Sequence, residues 1–236
     1  VYEEQAWPIL KRYKIPATVF VPTAYPDNPE QTFWWDNLYQ AIQNTNREDK
    51  LDTPIGTFSL SDTVSRNHAY QSLKNYMKTL KHTEAILAVK DFCNDLGVPP
   101  ASNCIMGWDS LRKLSQQGLT LGAHTRTHPL VNRISLEEAR REVVGSFQDL
   151  QQQIGSVLPI FAYPSGEFSN DVVNMLAEEG FSLAFTTKRG INNIAHMNPL
   201  RIQRINVGGR TTLPILRAQL LSWTIHFNGL QNRLSA

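Results

Sequence analysis

Residues 119–130 read Leu119-Thr-Leu-Gly-Ala-His-Thr-Arg-Thr-His-Pro-Leu130. The apolar residues 119–121 predict a short buried strand that breaks at Gly122. Two imidazoles follow, those of His124 and His128, and the proline after the second disfavours helical geometry there. We therefore expect the pair on a turn just past a strand. Such a pair could form half of a site for a zinc-like ion, although two exposed loop histidines would show the same spacing.

The composition narrows the class of protein. The chain has 236 residues, which suffices for one large α/β domain, and a formal net charge of only +2. This mild charge gives no reason to expect nucleic acid or an anionic membrane as a partner. No apolar run is long enough to span a bilayer. Cys93 and Cys104 lack metal-site spacing and allow a disulfide without requiring one. We interpret residues 1–236 as a single domain of undetermined oligomeric state.

Apolar segments alternate with amphipathic ones along most of the chain, which predicts parallel strands joined by helices. The first predicted strand is apolar enough to be buried on both sides. Strands are predicted at 17–21, 119–121, 159–163, 181–185 and 201–207. Helices are predicted at 2–13, 108–117, 135–154, 169–179 and 214–227. Residues 36–96 interrupt the alternation and predict a helical insertion, with a polar hairpin-like segment near 53–60 and no strand of its own.

The alternation fits either an open doubly wound sheet or a (β/α) barrel. In both architectures the chemistry gathers at the carboxyl ends of the strands. Four predicted strand ends carry polar or distinctive residues, namely Pro22-Thr23, the histidine turn, Tyr163–Gly166 and Thr186–Arg189. All four would lie on the same rim, which favours the metal-site interpretation.

Three groups of residues resemble the polysaccharide deacetylase family, the carbohydrate esterases built on the NodB-homology domain. They are Gly122-Ala-His-Thr-Arg-Thr-His-Pro129 preceded by Trp108-Asp, then Phe161-Ala-Tyr-Pro-Ser-Gly166, and finally Ala17-Thr-Val-Phe-Val-Pro22 with Phe33-Trp-Trp-Asp36. The resemblance runs from about Val1 to Val207. It implies a distorted (β/α)7-type barrel, with the first strand missing from this sequence and a helical insertion around residues 36–96.

The same resemblance implies a hydrolase that removes acetyl groups, mostly N-acetyl groups, from a polysaccharide by means of metal-activated water. The implied cofactor is a divalent metal, commonly zinc, with His124 and His128 as ligands. Thr125 would hydrogen-bond within the motif loop and hold its shape. The backbone N–H of Ser165 would stabilise the oxyanion. Arg204 either points into the site as a catalytic group or forms a surface salt bridge.

The implied partner is a polysaccharide or oligosaccharide substrate. Tyr163 and Pro164 are candidates for substrate binding at the wall of the sugar site. Trp35, with its neighbour Trp34, either stacks on sugar rings or packs the insertion onto the barrel. Family members act mostly on cell-envelope or exported glycans, so the resemblance also implies an extracytoplasmic or cell-envelope location.

The sequence departs from the family pattern at its start. The first family motif, Thr-Phe-Asp-Asp-Gly, supplies the base and a carboxylate ligand, and it would stand immediately before Val1. Without those carboxylates we expect weak or absent metal binding and no turnover from the 236-residue chain. Two alternatives remain open: a catalytically inactive carbohydrate-binding scaffold of the same fold, and an α/β protein whose histidines are incidental.

Overall fold

The computed structural model describes residues 2–28, 32–100 and 105–221, which form two compact units. The sheet unit contains the described residues up to Thr23 and from Leu114 onward. The helical unit contains those from Ala24 to Lys113. The interpretation of residues 1–236 as a single domain stays a prediction, and Cys104 lies outside the described residues.

Strands and helices alternate in the order that the sequence predicts. The strands are β1 (Thr18–Val21), β2 (Lys50–Thr53), β3 (Gly56–Ser59), β4 (Thr120–Ala123), β5 (Ile160–Ala162), β6 (Leu183–Arg189) and β7 (Ile202–Arg204). The helices are α1 (Trp7–Arg12), α2 (Trp34–Asn44), α3 (Thr63–Met77), α4 (His82–Asp95), α5 (Trp108–Gln116), α6 (Leu136–Ile154), α7 (Asn170–Glu178) and α8 (Leu213–Gln219). A π-helical turn at Tyr2–Ala6 precedes α1. The helix predicted at 214–227 lies partly outside the described residues. None of the described helices combines the length and the apolar character needed to cross a membrane.

The sheet unit is built on five parallel strands in the order β1-β4-β5-β6-β7. This confirms the α/β class with a parallel sheet, and closure into a barrel stays a prediction. The prediction that the first strand is buried on both sides is wrong, because Thr18 is exposed and Val19 and Phe20 are only half-buried. In the described sheet β1 lies at an edge, so side chains of a neighbouring strand cover it only on the β4 side.

Gly122 in β4 leaves room for aromatic side chains of the sheet. A Cβ atom at this position would lie 2.6 Å from the Phe20 ring and 3.0 Å from Ile160. The Phe20 ring contacts that of Phe185 on β6, with 5.3 Å between centroids. The glycine that ends the apolar run in the sequence is therefore a packing requirement within the strand, and β4 continues beyond it to Ala123.

Helix α6 follows the histidine loop and has the ends that its sequence predicts. The hydroxyl of Ser135 accepts a hydrogen bond from the backbone N–H of Glu138, which satisfies one free donor of the first turn. Gly155 ends the helix at φ 91°, a conformation that glycine adopts without steric cost. Its buried positions include Ala139, Val143 and Leu150.

The helical unit has a core of its own, and it contains a hairpin. The prediction that residues 36–96 lack a strand is wrong, because β2 and β3 pair antiparallel, with Thr53 opposite Gly56 across a two-residue turn. Only Leu51 of β2 is buried, so these strands carry almost none of the apolar alternation by which strands are recognised. Helices α2, α3 and α4 bury the rest of the core, including Leu38, Ile42, Leu73, Met77 and Val89.

One arginine joins several segments of the helical unit. The guanidinium of Arg66 in α3 donates hydrogen bonds of 2.8–3.0 Å to five backbone carbonyls, those of Leu60, Ile42, Gln43, Thr45 and Arg47. The carbonyls at 42 and 43 belong to the last turn of α2, where carbonyls have no partner within the helix. Arg66 therefore caps α2 and anchors the chain on both sides of the hairpin.

Candidate functional site

The carboxyl ends of the parallel strands are tied together by hydrogen bonds between their loops. After β1, the backbone N–H of Thr23 donates to the carbonyl of Thr125 after β4, at 3.2 Å. At the end of β6, the hydroxyl of Thr187 donates to the carbonyl of Ser165 after β5, at 2.9 Å. The structure thus brings together on one rim the strand ends that the sequence singles out.

The two histidines lie side by side on this rim. Their ring centroids are 4.7 Å apart, and the ring planes are nearly perpendicular at 82°. Nδ1 of His124 lies 2.6 Å from the carbonyl oxygen of Ala162, the last residue of β5. A carbonyl oxygen can only accept, so Nδ1 carries the proton and the lone pair is on Nε2. This is the arrangement in which metal-binding histidines are usually held.

The environment of His124 favours the neutral ring. Burial disfavours the charged form and lowers the pKa of His124 to about 4. The positive charge of Arg204 also lowers this pKa, whereas the hydrogen bond to the carbonyl of Ala162 raises it. At neutral pH the imidazole is therefore uncharged, which is the form that binds metal ions.

The loop between the histidines has an unusual backbone that Thr125 stabilises. Both Thr125 and His128 have positive φ angles, 65° and 62°. The buried hydroxyl of Thr125 donates to the carbonyl of His124 at 2.5 Å and accepts the backbone N–H of His128 at 3.0 Å. One side chain thus connects the two histidines through the backbone and stabilises a turn that costs conformational energy.

Glu142 on α6, which is not among the residues predicted from the sequence, holds the middle of this loop. Its Oε2 accepts the backbone N–H groups of Arg126 and Thr127 at 2.8 and 2.9 Å. Its Oε1 accepts the hydroxyl of Thr127 at 2.8 Å. One carboxylate therefore binds three donors from the two residues between the turn-forming Thr125 and His128.

Asp149, two turns further along α6, completes the support. It accepts two hydrogen bonds from the Arg126 guanidinium, at 2.7 and 2.8 Å, and one from the hydroxyl of Thr23 at 2.6 Å. Burial alone would raise the pKa of Asp149, but the hydrogen bonds from Arg126 and Thr23 lower it overall. Between the two acids, a Cβ atom at Gly145 would lie 2.5 Å from Cζ of Arg126. The spacing Glu142, Gly145, Asp149 on one helix face is the sequence signal that could have revealed this support.

Replacing Glu142 with glutamine is expected to weaken metal binding at the histidine pair about tenfold, because supporting groups around metal ligands typically contribute this much. Glutamine keeps one acceptor oxygen but has no charge, and its NH₂ group would face donors of the loop. The measurement is the zinc dissociation constant by competition with a chromophoric chelator.

Glu137→Gln provides the matched control on the same helix. The Glu137 side chain is 81% exposed and pairs with Arg141 on the same helix, so its loss should leave zinc affinity unchanged. Equal zinc affinities for Glu142→Gln and the unchanged protein would contradict a supporting role for Glu142.

The loop after β5 contains a backbone N–H group without an acceptor among the described residues. Ser165 has φ 54°, and within the described residues its N–H meets no acceptor. The loop is fixed by the N–H of Gly166, which donates to the carbonyl of Tyr163 at 2.8 Å. A Cβ atom at Gly166 would collide with the backbone nitrogen of Thr187, so the loop can approach β6 only with glycine there. The oxyanion role of the Ser165 N–H stays a prediction.

Tyr163 and Pro164 are buried in this loop. The Tyr163 side chain is 2% exposed, and its hydroxyl donates to the carbonyl of Leu200 at 2.9 Å. Burial raises the pKa of Tyr163, against the opposing charge of Arg201. In this structure the phenol ties the loop to the segment before β7, and contact of either residue with a sugar stays a prediction.

Arg204 and Trp35 lie in different units. Arg204 is the exposed last residue of β7 and has no salt bridge with any residue in the described part of the chain, although its charge influences His124. Trp35 belongs to the helical unit, where its ring stacks on Phe33 with centroids 4.4 Å apart and meets Trp34 edge-on. The roles predicted for both residues stay predictions.

The side chains at the rim match part of the ligand set that a zinc-like ion requires. Imidazole nitrogens are suitable ligands for such an ion. Among residues 2–28, 32–100 and 105–221 there is no group of three His, Cys, Asp or Glu side chains that could hold a metal ion. The described residues therefore offer two candidate ligands and not a complete set.

The chain was compared with known proteins by sequence and by structure. The family model described as polysaccharide deacetylase matches residues 2–184. None of the curated proteins matches the chain.

Several solved structures share the fold at low sequence identity. The deacetylase PplD of Streptococcus pyogenes, solved in complex with acetate, has a TM-score of 0.55 and 17% identity over 93% of this chain. IcaB from Ammonifex degensii has a TM-score of 0.52 and 16% identity over 92% of this chain. The deacetylase domain of BpsB from Bordetella bronchiseptica has a TM-score of 0.51 and 15% identity over 86%. The matches cover 65%, 67% and 65% of those chains, so this chain spans about two thirds of their length.

Proposed function

Because the chain belongs to the polysaccharide deacetylase family, we propose that it removes acetyl groups, mostly N-acetyl groups, from a polysaccharide with the help of a divalent metal ion. The observation that carries the proposal is the pair of adjacent imidazoles at the carboxyl rim, with His124 oriented by Ala162. An extracytoplasmic or cell-envelope location is part of the same proposal and rests on the family.

His124 and His128 would hold the ion, with zinc the best match to nitrogen donors. An ion bound there would polarise the acetyl carbonyl and acidify a water molecule. The low pKa of His124 supports this role, because protons compete for the ring only in acid, near pH 4. Thr125, Glu142 and Asp149 would fix the ligand loop, so that little reorganisation accompanies binding.

The N–H of Ser165 would donate to the oxygen that becomes negative when the acetyl carbonyl is attacked. Such a donor is most effective when it is already oriented before the reaction, since no energy is then lost in turning it. The hydrogen bond from Thr187 to the Ser165 carbonyl and the close packing of Gly166 against Thr187 support this orientation.

A third ligand and a catalytic base complete the proposal. We propose that both come from the first motif of the family, which would precede Val1. This can be tested by comparing the 236-residue chain with one extended at its N-terminus by native residues. Acetate release from a partly acetylated polysaccharide and bound zinc are measured for both.

We expect the extended chain to bind zinc and release acetate, and the 236-residue chain to do neither well. If both chains fail to bind added zinc and to release acetate, the hydrolase proposal is wrong. The second candidate, an inactive carbohydrate-binding scaffold, is favoured by the absence of a third metal ligand among the described residues. It predicts glycan binding without acetate release from either chain.

A further inference from the structure

Charge is distributed very unevenly along this chain. All 21 acidic residues lie at or before Glu179, whereas seven of the 23 Lys and Arg residues follow it. The formal net charge of +2 is therefore the sum of a negative charge on the first three quarters of the chain and a positive charge on the last quarter, where all charged side chains are Lys or Arg. Such asymmetry within one chain indicates a surface that binds anions.

The fold gathers four of these cations around the candidate site, in a set that we call the basic rim: Lys188, Arg189, Arg201 and Arg204. Lys188 and Arg189 are the last two residues of β6, and Arg204 is the last residue of β7. Arg189 and Arg204 are direct partners across the two strands. Like charges that face each other across a sheet are unfavourable unless an anion lies between or near them.

Two members of the basic rim converge on one aromatic ring. Nζ of Lys188 lies 5.8 Å from the centroid of Phe168, and Cζ of Arg201 lies 5.5 Å from it. The Phe168 ring also contacts Tyr163, with 5.1 Å between centroids. Cation–π contact orients both cations beside the loop that carries Ser165.

No carboxylate of the described chain forms a salt bridge with any member of the basic rim. Nε of Arg201 is buried and has no hydrogen-bond partner among the described residues, while its Nη2 donates to the Asn170 side chain at 2.8 Å. The cations of the basic rim therefore have no anionic partner among the described residues, and an oxyanion of a ligand would pair with their exposed N–H groups.

We propose that the basic rim binds oxyanions carried by the substrate, so that the substrate is an acidic polysaccharide with carboxylate or phosphate groups near its acetylated sugars. The inference rests on the proposed function for its choice of a glycan. Nucleic acid is a weaker match, because Phe168, the aromatic ring beside the basic rim, already contacts Tyr163, whereas single strands need successive free rings for stacking.

The test is binding of three oligomers of similar length, measured by calorimetry at low salt and at physiological salt. They are a neutral N-acetylglucosamine hexamer, a hexamer that alternates N-acetylglucosamine with glucuronate, and a short poly(glycerol phosphate). We expect at least one anionic oligomer to bind about tenfold more tightly than the neutral one at low salt. This preference should decrease as salt rises, because exposed charges are screened. The two anionic oligomers distinguish carboxylate from phosphate.

Lys188→Gln and Arg189→Gln should each weaken binding of the preferred anionic oligomer about three- to tenfold, and leave the neutral hexamer unaffected. Lys90→Gln, which removes an exposed cation of the helical unit, is the charge-matched control and should change neither. Thermal unfolding of each variant checks that the fold is intact.

Equal binding of neutral and anionic oligomers would overturn the inference, as would tighter binding of a single-stranded oligonucleotide than of either anionic oligomer. Because binding is measured without hydrolysis, this failure is distinguishable from a failure of the proposed function. A protein that prefers acidic glycans but releases no acetate would keep the inference and refute the hydrolase proposal.

Discussion

Replacing His124 with alanine is expected to reduce zinc affinity by at least about 100-fold and to abolish acetate release. The expected loss exceeds that for a supporting residue, because one of the two described nitrogen ligands is removed outright. The measurement is bound zinc per chain after dialysis, together with acetate released by the N-terminally extended chain. His68→Ala is the control, because His68 is an exposed histidine of the helical unit that packs on Phe58.

The metal-free protein offers a second measurement on the same variant. The folded pKa of His124 is about 4, below the value near 6.5 of an unperturbed imidazole, so the unfolded chain binds more protons between these values. The stability that the neutral ring contributes is therefore complete above about pH 6.5 and is lost as the pH falls toward 4. His124→Ala should remove this part of the pH dependence of the unfolding free energy.

Retention of zinc by His124→Ala, at the level of the His68→Ala control, would contradict the ligand assignment.

Replacing Arg66 with methionine is expected to destabilise the helical unit by about 3 kcal/mol or more. Methionine has similar length but no donors, so five carbonyls lose hydrogen bonds to a charged group, and such bonds contribute roughly 1.5–3 kcal/mol each before neighbouring groups and water compensate. The measurement is the unfolding free energy from urea denaturation, with hydrogen exchange of α2 and α3 amides to locate the effect.

Arg66→Lys distinguishes charge from geometry. An ammonium group has three donors and cannot reach five carbonyls, so we expect a loss between that of methionine and none. Lys90→Met at an exposed position should change stability by no more than about 0.5 kcal/mol. If Arg66→Met were as stable as Lys90→Met, the hydrogen bonds of Arg66 would have no net stabilising effect.

The sequence predicts the parts of the fold that depend on local pattern. An apolar run identifies the strand before His124, a Ser cap identifies the start of helix α6, and a glycine identifies the loop after β5. Each of these features is determined within about 20 residues of sequence. The hairpin-like segment near 53–60 is also recognised, but the strand character of β2 and β3 is not, since only Leu51 of β2 is buried and the apolar alternation is too weak to detect.

The candidate site also contains residues that can be predicted from local sequence and residues that cannot. His124 and His128 stand out because the ligands are close in sequence and precede a proline. The support from Glu142 and Asp149 cannot be recognised in this way, because each contact spans 15 residues or more and depends on how α6 packs beside β4. Helical spacing places the two acids on one face, yet nothing local shows that this face meets the histidine loop.

The contacts between α6 and the histidine loop bear on how this site could be transplanted or could evolve. The Arg126 guanidinium occupies the space that a Cβ atom at position 145 would enter, and the carboxylate at 142 accepts the loop amides. The loop and the helix therefore form one inheritable module of about 25 residues. A designer who grafts only the His-Thr-x-x-His sequence onto another protein would copy the two histidines without the residues that hold their loop, and recombination between the loop and the helix would separate residues that contact each other.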